Sequence, residues 1–134
     1  MLEQVYRERL PATPAAVRLA RHGVSDALGR VGIADAALLA DIALTVTEAT
    51  TNAVRHAYPP DSDGRIDVTV KCTPPNITIT VKDEGVGINT DRDPHGLGLG
   101  LSIMNSQTER LEIASDTTGT IVTLHFTAPS GQQS

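Results

Sequence analysis

Along the chain the spacing of apolar positions switches between two periods. Ile66, Val68, Val70 and Cys72 alternate with Arg65, Asp67, Thr69 and Lys71, and after Thr73-Pro74-Pro75-Asn76 the alternation resumes with Ile77, Ile79 and Val81. A period of two sorts side chains onto opposite faces, so this stretch predicts an antiparallel hairpin with one buried face. Glu3 to Leu10 alternates more weakly, as an edge strand does. Thr13-Pro14 then offers an N-cap followed by proline at the first helical position. A helix is expected from Pro14 to Arg30, ending near Gly32, with Ala16, Ala20, Val24 and Leu28 on its apolar face and Arg18 and Arg21 standing off it. Asp35 caps a longer helix in which Leu38, Leu39, Ile42, Val46, Ala49 and Ala53 recur at helical spacing, and Tyr58-Pro59-Pro60 stops it. Residues 99–109 read as a third helix. Leu111-Glu112-Ile113 and a run from Thr120 to Phe126 flank the turn Thr117-Thr118-Gly119 as a second hairpin. Helices segregated from hairpins predict an α+β two-layer sandwich, with helices on one face of a mixed, mostly antiparallel sheet.

Composition narrows the choice of partner. With 134 residues and 40% hydrophobic content the chain suits one domain with a modest core, read as residues 1–127 followed by a small, polar tail at 128–134. Tyr6, Tyr58 and Phe126 are its only aromatic residues, too few for a base-stacking platform, and a net charge of -5 argues against a broad face for nucleic acid. The longest apolar run, at 36–40, is far short of the roughly 18 residues a membrane span needs, and the start lacks a signal-like core, so a cytoplasmic protein with no membrane contact is expected. Cys72 sits in a strand pattern and reads as a core thiol.

Three polar clusters break these patterns. Glu48, Asn52 and His56 recur every four residues, so they sit one turn apart along one helix face. A solvated helix face produces the same spacing. Directly after the strand ending at Val81 comes Asp83-Glu84-Gly85-Val86-Gly87, an acid followed by two glycines that let backbone amides approach a ligand, although a tight turn looks alike. Gly96-Leu97-Gly98-Leu99-Gly100-Leu101 opens the third helix, where free N–H groups and the helix dipole favour an anion. Three glycines there contradict helix propensity and need a reason. Neither a G-x-x-x-x-G-K-[ST] phosphate loop nor a strand followed by G-x-G-x-x-G occurs.

Taken together, Glu48-x-x-x-Asn52-Ala53-x-x-His56-Ala57-Tyr58, Asp83-x-Gly85-x-Gly87, Gly96-x-Gly98-x-Gly100 and Gly119-Thr120 resemble the N, G1, G2 and closing boxes of the Bergerat-fold (GHKL) ATPases. The small size and the first string are most similar to the bacterial anti-sigma factor serine kinases, over nearly the whole chain. The resemblance implies the histidine kinase-like ATPase fold and a role for each box. Asn52 would ligate Mg²⁺, and Glu48 would be the general base toward a serine or threonine hydroxyl. Asp83 would recognise the adenine amine of ATP with Thr120 assisting, while Gly85 and Gly87 let the base approach. Gly96, Gly98 and Gly100, with the intervening Leu97, Leu99 and Leu101, would wrap the phosphates, and 88–95 would be a lid. His56 resembles the box histidine or its neighbour, and a packing role at the helix end suits it equally.

Some family kinases place an arginine before the second glycine box, where this chain reads Asp93-Pro94-His95-Gly96; Arg92 and His95 are the residues available to replace it. Arg18 resembles the arginine through which such kinases meet partners, and an ordinary exposed arginine fits as well. The implied function is an ATP-dependent switch that phosphorylates an anti-anti-sigma (STAS-type) protein and/or sequesters a sigma factor, and the resemblance also implies a homodimer. A nucleotide-gated binding module without phosphotransfer is the alternative. A histidine-kinase catalytic domain is the third reading, but the residues before Glu48 are needed for the ATPase fold and leave no room for a phosphoacceptor hairpin.

Overall fold

The computed structural model describes residues 2–56, 64–84, 110–116 and 119–129. Its elements are β1 (Gln4–Pro11), α1 (Pro14–Arg30), α2 (Ala36–His56), β2 (Arg65–Thr73), β3 (Asn76–Asp83), β4 (Arg110–Asp116) and β5 (Gly119–Thr127). The expected third helix at 99–109, the lid at 88–95 and most of the tail lie outside the described residues.

The five strands form one sheet in the order β1-β2-β3-β5-β4. All four pairings are antiparallel. The hairpin β2–β3 keeps strict register from Ile66 opposite Asp83 to Thr73 opposite Asn76, so every apolar residue of both strands falls on one face. β1 is an edge strand as its weak alternation predicts, and β4 is the other edge.

Both described helices begin where their punctuation puts them, and α1 ends at Arg30 as expected; the stop assigned to α2, Tyr58-Pro59-Pro60, lies outside the described residues. Pro14 is the first residue of α1, although Thr13 makes no side-chain cap to it. Asp35 does cap α2, its Oδ2 accepting from the Leu38 backbone N–H at 2.8 Å. Ala16, Ala20, Val24 and Leu28 of α1 are all buried, with Ala27 beside them. They meet Ile42, Val46, Ala49 and Ala53 of α2 and the inner sheet residues Ile66, Val68, Val70, Ile77, Ile79, Val81 and Leu124 in one continuous core. Each Val, Leu or Ile among them contributes about 1.5–3 kcal/mol on burial. Cys72 is part of this core, and burial pushes its thiol pKa up, as a packing thiol requires.

α1 crosses β1 closely enough that a Cβ on Gly23 would run into the Tyr6 ring. The Tyr6 hydroxyl donates to Glu8 Oε1 at 3.0 Å. Burial first, and then that hydrogen bond and the Glu8 charge, push the phenol pKa well above its ordinary value.

Candidate functional site

On the three central strands the inner face of the sheet is apolar until its last rung. There β3 ends with Asp83, whose Cα partner across the ladder is Thr120 at the start of β5. Directly opposed residues on paired strands present their side chains to the same face. Both follow the inward alternation, and both are buried, Asp83 at 5% exposure and Thr120 at 2%. Gly119, just before Thr120, has φ of +145°, a backbone conformation that side chains disfavour. A Cβ there would also overlap the Asp83 carbonyl oxygen. Glycine at 119 therefore lets the closing box lie flush against the end of β3, which sets Thr120 level with Asp83. The sequence paired Gly119 with Thr120 only as a motif; the close approach to Asp83 is what the fold adds.

α2 packs against β2 and β3. Its C-terminal half carries Glu48, which is half-buried, and Asn52, which is 8% exposed. Thr45 and Thr50, the other buried polar residues of this helix, are satisfied locally: their hydroxyls donate to the Ile42 and Val46 carbonyls at 3.0 and 2.7 Å. Among the described residues, neither Asn52 nor Glu48 has a side-chain hydrogen bond or ion pair. Among the described residues the one fully buried side-chain polar atom without a hydrogen-bond partner is Asp67 Oδ1, so the Asn52 amide carries no such burial penalty and is left uncommitted at the helix surface.

His56 is the last residue of α2, and nothing more of it is described. Gly85, Gly87, His95, Gly96, Leu97, Gly98, Leu99, Gly100 and Leu101 lie outside the described residues. Arg18 is exposed on α1. One contact near the site has no signal in the local sequence. Arg9 on the edge strand reaches the start of the first glycine box, its Nη2 lying 3.3 Å from Glu84 Oε1, and its Nε is 4.0 Å from Asp67 Oδ1. Only the β1–β2–β3 register brings these residues together.

A family model described as a histidine kinase-like ATPase domain matches residues 10–126. This chain belongs to the histidine kinase-like ATPase family. It is 31% identical over 90 residues to the serine-protein kinase RsbW of Bacillus subtilis, covering 67% of this chain and 56% of that protein. It is 34% identical over 101 residues to the anti-sigma F factor of Bacillus cytotoxicus, covering 66% of this chain and 68% of the relative. The chain thus spans little more than half the length of the RsbW relatives it matches. The crystal structure of the RsbU and RsbW domains of Rv1364c from Mycobacterium tuberculosis superimposes with a TM-score of 0.70 at 27% identity, over 92% of this chain and 32% of that one. The histidine kinase domain of Erythrobacter litoralis EL346 matches with a TM-score of 0.65 at 23% identity, which establishes likeness of fold. The kinship inferred from the four boxes, with anti-sigma factor serine kinases as relatives, therefore holds, as does the α+β sandwich. An ATPase domain implies ATP as the ligand. Among the described residues no helix is long and apolar enough to cross a membrane.

Proposed function

We propose that the chain is a Mg-ATP-dependent serine/threonine kinase domain, residues 1–127, that phosphorylates an anti-anti-sigma partner of STAS type and alternatively holds a sigma factor, working in the cytoplasm. The observation that carries this reading is the Asn52 amide, which makes no side-chain hydrogen bond among the described residues, one helical turn from the half-buried Glu48 carboxylate. The buried pair Asp83 and Thr120 adds to it at the rim of the sheet.

The donor chemistry fits a magnesium nucleotide. Mg²⁺ takes few protein ligands and keeps several waters while bridging phosphate oxygens, so a single amide oxygen is a sufficient anchor. When bound it neutralises the charge developing on the phosphates. Asn52 would supply that amide oxygen. Glu48 accepts the proton of the acceptor hydroxyl. Asp83 accepts from the adenine amine, and Thr120 supplies a hydroxyl beside it. The amides of 96–100 are assigned to the phosphates from the glycine spacing, and Arg18 to partner contact from the family resemblance. The kinase and anti-sigma activities belong by name to the relatives; their transfer to this chain is the proposal.

The test is labelled Mg-ATP incubated with candidate anti-anti-sigma proteins and the wild type, Glu48→Ala or Asn52→Ala chain. Phosphoprotein from wild type alone, with nucleotide still bound by Glu48→Ala, supports the kinase. Nucleotide bound by wild type without any phosphoprotein supports instead the nucleotide-gated module that the Asp93-Pro94-His95 stretch leaves open.

A further inference from the structure

The face of the sheet turned away from the helices is the other polar surface of the molecule, and the ATPase reading makes no use of it. Register fixes what it presents: Arg9, Asp67, Lys82 and Ile121 form one rung, Arg7, Thr69, Thr80 and Thr123 the next, and Lys71, Thr78 and His125 a third. A shallow depression of about 330 Å³ opens there, lined by the threonines Thr69, Thr78 and Thr80, the cations Arg7, Lys71 and Lys82, and one carboxylate, Asp67, which faces Arg9 at 4.0 Å. These are both of the chain's lysines, on a protein of net charge -5. Among the described residues none of these three cations has an ion-pair partner. Asp67 and Glu84 neutralise Arg9 instead.

We infer that this face docks an acidic, extended segment of a partner protein, whose carboxylates meet Arg7, Lys71 and Lys82 and whose backbone lies over the threonines. Three observations choose this occupant. The cations are spread over three strands and three rungs, with Lys71 and Lys82 about 13 Å apart along the strand direction, a spacing that suits separate carboxylates better than one small anion. The threonine hydroxyls both donate and accept, so they can serve a polar backbone as well as a side chain. Nucleic acid fits less well, because Tyr6 and Phe126 are committed to the helix-covered side and the chain as a whole repels a long polyanion. A basic patch on an acidic protein gives a short acidic segment a locally favourable field and fixes its orientation.

The test uses the full chain and a fluorescein-labelled peptide of alternating Glu and Ser, about twelve residues long, read by anisotropy at about 50 mM NaCl, where surface charges are weakly screened. Lys71→Glu with Lys82→Glu is expected to weaken binding at least about tenfold. Arg21→Glu with Arg30→Glu makes the same change in net charge on α1 and should shift binding less than about twofold, because the field falls off within a Debye length. Lys71→Thr with Lys82→Thr, which keeps strand propensity, replaces the reversal if that variant does not fold. The inference is overturned by no peptide binding to wild type, by equal losses in the two charge variants, or by an oligonucleotide of equal charge binding as tightly as the peptide. It is also overturned if sedimentation shows a dimer of this chain that the Lys71 and Lys82 variant abolishes. None of these readouts involves ATP, so failure here leaves the kinase reading standing.

Discussion

The two faces of the sheet use the same strands under opposite rules. On the helix-covered face of the central strands Ile66, Val68, Val70, Ile79, Val81 and Leu124 are all but inaccessible, and polarity is an exception that appears at one end, as Asp83 and Thr120. On the other face Thr69, Thr80 and Thr123 stand in a row and polarity is the default. A polar residue is therefore informative on the first face by its presence, and on the second only by what it lacks: Arg7, Lys71 and Lys82 differ from Arg9 in having no ion-pair partner among the described residues.

The largest effect should separate neighbours in one strand. Ile79→Ala empties the centre of the core and should cost about 2–5 kcal/mol in a denaturant titration. Thr80→Ala, next along β3 on the open face, should cost less than about 1 kcal/mol. Comparable losses would break the contrast between faces. Gly119→Ala comes next: the positive φ and the collision with the Asp83 carbonyl should cost about 2–3 kcal/mol and weaken nucleotide binding in calorimetry.

Asn52→Ala should change the stability of the nucleotide-free chain by less than about 1 kcal/mol, since it breaks no side-chain hydrogen bond among the described residues and removes little packing. It should at the same time lower Mg-dependent nucleotide affinity at least about 100-fold, or 2.7 kcal/mol. A stability loss of the size seen for Ile79 would give Asn52 a packing role instead. The smallest effect is in pH. Because folding raises the Tyr6 pKa, its contribution to stability is complete below about pH 10, the unfolded value, and is lost as pH climbs through the folded one. Melting curves taken above pH 10 should decline more steeply for wild type than for Tyr6→Phe.

Much of this was legible from spacing alone. The period-two runs fixed both faces of β2 and β3, and the Pro14 and Asp35 signals placed the starts of both described helices. The N box could be aligned because it lies within one helix, where four-residue spacing is geometry. What spacing could not give is whatever depends on partners distant in sequence: that Gly119 must be bare because Asp83 passes over it, that Gly23 is bare because Tyr6 fills the space, and that Asn52 differs from Thr50, which bonds back to its own helix. The cationic patch has the same origin, since Arg7, Lys71 and Lys82 come from three strands and share a neighbourhood only after the hairpins align.

The bridge from Arg9 to Glu84 joins residues 75 apart in sequence. It fastens the outermost strand to the root of the first glycine box, one residue beyond the carboxylate assigned to adenine. Peeling β1 from its neighbour, by truncation or by a bulky fusion ahead of it, should therefore quicken amide exchange at the nucleotide end before the central ladder notices, making the beginning of the chain a remote handle on its binding rim.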